Sequence, residues 1–113
     1  MSHRDDRVSL DDILESIQKI ETYTQEVSAA DFAIDPQLQD AVIRRLEIIG
    51  EAVKNISSDL KDQYPIIPWR PMAGMRDVLI HGYFGVNIQR VWSVVKNDLP
   101  DLKQKILTLR QRL

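Results

Sequence analysis

The chain has 113 residues, of which 43% are apolar and 28% are charged, with a formal net charge of −2 and no cysteine. This length suits one compact domain, and the lack of cysteine excludes disulfides, thiolate zinc sites and thiol nucleophiles. No apolar run approaches the roughly 18 residues of a membrane helix, and the first seven residues do not form a secretory signal. We therefore expect a cytoplasmic protein that does not enter a membrane.

Few residues are available to hold a metal or to transfer a proton. Histidine occurs only at His3 and His81, so one chain cannot build a site from several imidazoles. No Gly-rich phosphate loop is present. We therefore expect no metal and no cofactor, and any imidazole chemistry of the domain must come from His81 and its neighbours.

The first part of the chain predicts a polar tail followed by a helix. Residues 1–8 are predicted as the tail, and the domain itself as residues 9–113. Ser9 and the acids after it resemble a capping box, and apolar residues at helical spacing continue the pattern to about residue 27. Residues 28–35 are predicted as a connector.

The rest of the chain predicts further helices. Asp35 before Pro36 is typical of a helix start, and the apolar stripe then runs over 36–56. A short helix is predicted near 58–63, followed by an apolar loop from Tyr64 to Trp69 that we expect to pack against the body. Trp69 is predicted to open a helix that ends near His81, before two glycines.

Two helices are predicted at the end of the chain. Asn87 is a candidate cap for a helix over 88–97, and Asp98 for the last helix. The pattern as a whole predicts an all-α, up-and-down bundle of four to five helices. Trp69 and Trp92 are interpreted as core residues, and Arg44–Arg45 as a solvated or dimer-facing pair with phosphate contact as the other reading.

The segment from Arg76 to Tyr83 carries the residues most suited to chemistry. Asp77 and His81 lie four apart, so a helix places them on one face, where the carboxylate can accept the imidazole N–H and fix its tautomer. His81 can take the proton of a ribose 2′-hydroxyl or protonate a leaving 5′-oxygen, and Arg76 can hold the phosphate. This grouping is what metal-free cleavage of RNA requires, and a symmetric dimer would supply the second imidazole.

The same spacing is also typical of an ordinary helix end. A histidine paired with an aspartate in the last turn of a helix often acts only as a cap or a surface pair. From these residues alone both readings stay open.

Several segments together resemble a known family. Arg76-x4-His81-x-Tyr83 resembles the signature of the HEPN superfamily, more specifically of its HepT-like toxin branch. Other segments are similar to that branch as well: 44–52, Pro68-Trp69-Arg70, 83–87, Val91-Trp92 and Asp98-Leu99-Pro100. The likeness covers nearly the whole chain from residue 9 onward.

The resemblance implies a homodimer in which two motifs face each other across a cleft, acting as a metal-independent endoribonuclease toxin on RNA. Arg76 and His81 would be catalytic, with Asp77 as a polar helper. The partner in this branch is a minimal nucleotidyltransferase antitoxin, which in some members transfers AMP to the motif tyrosine. Tyr83 would be the acceptor here, and a higher assembly with the antitoxin would be compatible with this. Many relatives have Asn where this chain has Asp77.

Two other functions compete with a ribonuclease toxin. The chain could be a non-catalytic subunit that binds a nucleotide or presents Tyr83 to a transferase, or a plain helical dimer in which the motif is fortuitous. Residues 1–40 hold ten acids and three bases, and residues 41–113 hold twelve bases and seven acids. We expect the acidic first helix to face the basic second half of its own dimer or the antitoxin.

Overall fold

The computed structural model of the chain describes residues 3–74 and 87–113. Within those ranges the regular structure is helical and contains no strand, which confirms the all-α prediction. The helices are α1 His3–Tyr23, α2 Ala29–Ala33, α3 Pro36–Lys54, α4 Ser58–Gln63, α5 over 69–74, α6 Ile88–Ser93, a π-helical turn Val94–Asp98, and α7 Leu99–Gln111.

The start of α1 corrects the predicted tail. Residues 3–8 are helical, and Ser9 is buried inside the helix instead of capping it. Asp6 is only 2% exposed, and its carboxylate accepts the Ser57 N–H at 2.9 Å and the Ser57 Oγ–H at 2.7 Å. Arg7 Nη1 donates to the carbonyl oxygen of Leu113 at 3.2 Å. The prediction failed because both partners lie far along the chain, where a local pattern does not reveal them.

The connection between α1 and α3 is longer than predicted, because α1 ends before the predicted residue 27, and it contains a short helix. Helix α1 ends at Tyr23, and Glu26 in the turn after it has a φ of 61°. The predicted connector contains α2, whose cap Ser28 accepts the Asp31 N–H and whose Phe32 is fully buried. Burial of this ring explains why the segment folds back onto the body instead of running over the surface.

The start of α3 follows the prediction. The Asp35 side chain accepts the Leu38 N–H at 3.1 Å, and Pro36 occupies the first helical position. The helix ends at Lys54, before the predicted residue 56. A local signal was sufficient here because both the donor and the acceptor of the cap lie within four residues.

The core lies where α1 packs against α3 and α7. Its side chains follow the predicted helical stripes, and Trp69 is buried among them as expected. Trp92 is partly buried, with its ring 4.9 Å from that of Phe32. The fully buried members include Leu10, Ile13, Ile17, Ile20, Val42, Val53 and Ile106.

The last two predicted helices are one continuous element. Asn87 caps α6 as expected by accepting the Arg90 N–H at 3.1 Å. Asp98 makes no capping hydrogen bond, so its prediction as a cap is wrong. The chain instead passes through the π-helical turn, where the Leu99 N–H donates to the Val94 carbonyl. The wider turn brings residues five apart, Val94 and Leu99, into the core together.

The acidic face of α1 meets basic residues of α7 in the same chain. Asp11 accepts from Arg110 Nε at 2.8 Å, and Glu21 from Lys103 Nζ at 2.9 Å. The hydrogen bond from Asp11 raises the pKa of Arg110. These two acids of the first helix therefore already pair with bases of the second half of the same chain. No helix of the described ranges is long and apolar enough to span a bilayer.

Candidate functional site

In the sequence, the predicted catalytic segment lies between helices α5 and α6. Arg76, Asp77, His81 and Tyr83 themselves lie outside the described residues. Helix α5 leads toward the segment as far as residue 74, and Asn87 follows it at the cap of α6.

The approach to the segment is fixed by the loop that precedes α5. Ile67 is 3% exposed and Trp69 is 8% exposed, which confirms that this loop packs against the body at these residues. Trp69 Nε1–H donates to the Tyr64 carbonyl at 3.0 Å. Ile66, in contrast, is 70% exposed, because the turn between the two prolines points it outward. The start of α5 is therefore held by buried apolar side chains and one partly buried hydrogen bond.

A cavity of about 390 Å³ lies beside α5, between α3 and the continuous helix formed by α6, the π-helical turn and α7. Apolar side chains from all three directions form most of its wall. They include Leu46, Ile49, Met72, Val94, Leu99 and Leu102. Its size lies within the range of about 300–1,000 Å³ that small-ligand sites occupy.

Four polar side chains also line this cavity, which we call the α5–α7 cavity: Arg90, Asn97, Asp98 and Asp101. Asn97 Nδ2 donates to Ser93 Oγ at 3.1 Å, and Asp101 pairs with Lys105 Nζ at 2.8 Å. Within residues 3–74 and 87–113, neither the Arg90 guanidinium nor the Asp98 carboxylate has a hydrogen-bond or ion-pair partner. Two opposite charges at the cavity are thus available to a bound molecule.

This set of side chains is suited to binding more than to proton transfer. Among the described residues, the cavity is lined by a guanidinium, carboxylates and an amide but by no imidazole. No group of three carboxylate, imidazole or thiol side chains in the described part of the chain is placed to hold a metal ion. Elsewhere, Arg44 lies at the surface 3.5 Å from Glu47, which agrees with its interpretation as a solvated residue.

Over residues 3–74 and 87–113 the chain is a helical domain without strands, and its sequence contains an Arg-x4-His motif between α5 and α6. These two features define a class of small helical proteins. The model of the family described as "Ribonuclease HepT-like" matches residues 13–109. The chain belongs to this HepT-like family.

Named relatives are similar over almost the whole chain. A protein of Thermococcus cleftensis named "Probable ribonuclease HepT" is 54% identical over 97% of both chains. In Methanocaldococcus jannaschii, "Putative RNase MJ0127" is 46% identical over 92% of this chain and 87% of its own. "Gamma-glutamylcyclotransferase and putative RNase MJ0434" of the same organism is 49% identical over 97% of this chain. The matched region is half of the length of that longer protein. No solved structure matches.

The polar residues of the α5–α7 cavity were missed by sequence reasoning. Asp98 was interpreted as a cap, and Arg90 and Asn97 were not singled out. No local signal marked them, because Val95 and Leu99 keep the spacing of four that a regular α-helix places on one face.

Proposed function

We propose that this chain is a metal-independent endoribonuclease and the toxin of a toxin–antitoxin pair. The observation that carries the proposal is the family match over residues 13–109, which includes the motif Arg76-x4-His81-x-Tyr83. The names of the relatives, which describe ribonucleases, support the same activity.

The proposed reaction uses the ribose of the substrate as the nucleophile. His81 takes the proton of the 2′-hydroxyl, whose oxygen attacks the neighbouring phosphorus. The bond from phosphorus to the 5′-oxygen breaks, and that oxygen receives a proton from the His81 of a second copy. Arg76 holds two phosphate oxygens and offsets the charge that develops on them, while Asp77 orients the imidazole. The products are a 2′,3′-cyclic phosphate and a free 5′-hydroxyl.

The homodimer follows from the same chemistry. One imidazole does not easily serve as base and as acid in a single step, whereas two copies related by a two-fold axis bring two. DNA is not a substrate of this reaction because it lacks the 2′-hydroxyl.

Control by a partner completes the proposal. A minimal nucleotidyltransferase antitoxin would transfer AMP to the Tyr83 hydroxyl, with pyrophosphate leaving from ATP. The added phosphate and nucleoside, two residues from His81, would fill the site and repel the RNA backbone.

RNA cleavage by the purified protein in EDTA tests the catalytic proposal. We expect cleavage that leaves 2′,3′-cyclic ends, and its loss by at least a hundredfold in His81→Ala and Arg76→Ala. His3→Ala removes the other histidine and Arg112→Ala removes an exposed arginine near the chain end, and both should leave the rate unchanged. If the wild-type protein neither cuts RNA nor arrests growth when expressed alone, the chain is not this enzyme and a non-catalytic subunit is favoured.

Intact mass measurement tests the control by a partner. In the presence of ATP and a minimal nucleotidyltransferase of the antitoxin class, the wild-type mass should rise in steps of one AMP. Tyr83→Phe keeps the ring and lacks the acceptor oxygen, so its mass should not change, whereas Tyr23→Phe, altered at an exposed tyrosine of α1, should still be modified. Modification of the Tyr83→Phe protein would place the acceptor elsewhere.

A further inference from the structure

We propose that the α5–α7 cavity is a base-binding subsite for the RNA substrate, and that it selects a base with an exocyclic amino group, guanine before the others. This inference rests on the proposed ribonuclease function and adds to it the recognition of one nucleotide near the cleaved bond.

The position of the cavity along the chain favours this role. Its wall includes Met72, four residues before Arg76, and Arg90, seven residues after Tyr83. Both flanks of the proposed catalytic segment therefore contribute to the same hollow. Because the proposed catalytic residues lie between these flanks in the sequence, we expect a base bound there to belong to a nucleotide near the cleaved bond.

The walls of the cavity suit a flat apolar ring. Apolar side chains of α3, of α5 with the loop before it, and of α7 line the cavity, so a base bound there would contact apolar groups. Proteins that take a base out of its stack hold it in this way, between apolar or aromatic side chains with a few polar groups at its edge.

The π-helical turn places the polar groups of the cavity. Val94, Asn97 and Asp98 all belong to this turn and all line the cavity. Such turns occur often at functional sites. Because Asp98 caps no helix here, its carboxylate is left to interact with whatever enters the cavity.

The charges determine which base fits. A carboxylate only accepts hydrogen bonds, so Asp98 requires a base edge that donates. Guanine offers two neighbouring donors, its ring N–H and its amino group, to the two oxygens of one carboxylate. Uracil lacks an amino group and is disfavoured. The Asn97 amide can pair with the remaining edge, and Arg90 can hold the phosphate of the same nucleotide and offset the two carboxylates.

Titration of the full-length, isotope-labelled protein with single nucleotides tests the subsite without requiring catalysis. Guanosine 3′-monophosphate should shift the backbone amide signals of Asn97 and Leu102, and bind about tenfold more tightly than uridine 3′-monophosphate. Asp98→Asn should remove this preference. Arg90→Ala should weaken both nucleotides by a similar factor and keep the preference. Lys96→Ala, a change at an exposed cation that lies outside the cavity, should alter neither.

Cleavage of RNA of mixed sequence supplies the second readout. Asp98→Asn should reduce the preference for sites next to guanine while His81-dependent cleavage continues. If cleavage depends on His81 but its site preference is identical in wild type and Asp98→Asn, the inference is wrong and the proposed function stands. If RNA is not cut at all but guanosine 3′-monophosphate binds as described, the proposed function fails and the cavity remains a nucleotide site.

A protein partner is the competing occupant of the cavity. It would be indicated if no nucleotide shifted the signals of cavity residues while Leu102→Ala changed the sedimentation of the protein from dimer to monomer. That combination would overturn the assignment of the cavity to a base. An Asp98→Asn protein that keeps its oligomeric state and loses guanine selectivity would support it.

Discussion

The two sides of the continuous helix formed by α6, the π-helical turn and α7 differ in how their charged residues are paired. On the side facing α1, Arg110 and Lys103 each pair with a carboxylate of α1. On the side facing α5, the described residues leave the Arg90 guanidinium and the Asp98 carboxylate at a cavity without such partners. The charges on the first side are therefore paired within the chain. Those on the second side are available to another molecule.

The core beneath the α1 side should respond most strongly to mutation. Ile17 is fully buried, so Ile17→Ala removes apolar contacts and leaves a void, and we expect a loss of about 3 kcal/mol in unfolding free energy. Ile34, 81% exposed, provides the matched control, since Ile34→Ala should change stability by less than about 0.5 kcal/mol. Urea unfolding followed by circular dichroism measures both. Equal effects would contradict the placement of α1 in the core.

The second largest loss of stability is expected on mutation of the buried carboxylate at the start of α1. Asp6→Asn exchanges one of the two acceptors of Ser57 for an amide donor, and we expect a loss of about 2 kcal/mol because a buried donor loses its partner. Asp5→Asn alters the exposed neighbouring acid and should be nearly neutral. If thermal unfolding shows no difference between the two variants, residues 3–8 are the polar tail that the sequence predicted.

Removing an unpaired hydroxyl from the same helix should increase the stability of the protein. Ser16 Oγ is buried and has no hydrogen-bond partner, so Ser16→Ala should raise the unfolding free energy by about 1 kcal/mol. Thr24 Oγ1 is also buried but donates to the Ile20 carbonyl at 2.8 Å, and Thr24→Val should therefore destabilise the protein. Two changes of the same sign in urea unfolding would mean that Ser16 finds a partner after all.

The cavity side should show the smallest effect on folding. Asp98→Ala removes a carboxylate that caps nothing, and we expect a change of less than about 0.5 kcal/mol. Asp35→Ala removes a carboxylate that caps α3 and should cost about 1 kcal/mol. The two aspartates look alike in sequence, each just before a predicted helix, so this pair of variants in one unfolding experiment separates a structural acid from a free one.

The features that the sequence predicted are those set by neighbouring residues. The caps Asp35 and Asn87 and the buried stripes of α1, α3 and α7 depend on residues within one or two helical turns, and they were found. Contacts between residues that are distant in the sequence were not predicted. Nothing near Asp6 indicates Ser57, and nothing near Asp11 indicates Arg110, because these pairs form only when the helices pack.

The candidate site divides in the same way. Arg76, Asp77, His81 and Tyr83 were selected because their chemistry and spacing are local to one segment and resemble a family signature. The α5–α7 cavity could not be predicted, because it requires α3, α5 and α7 to be placed around it. Its π-helical turn left no trace in the sequence either, because Val95 and Leu99 keep an ordinary helical spacing of four.

The hydrogen bond between Arg7 and Leu113 brings the beginning and the end of the described chain together. Proteins with adjacent ends commonly tolerate circular permutation, in which the old ends are joined by a short linker and new ones are opened elsewhere. Any domain attached at either end would leave the bundle at the same pole. A fluorescent donor and acceptor fused to the two ends should therefore show high energy transfer in the folded chain and lose it on unfolding.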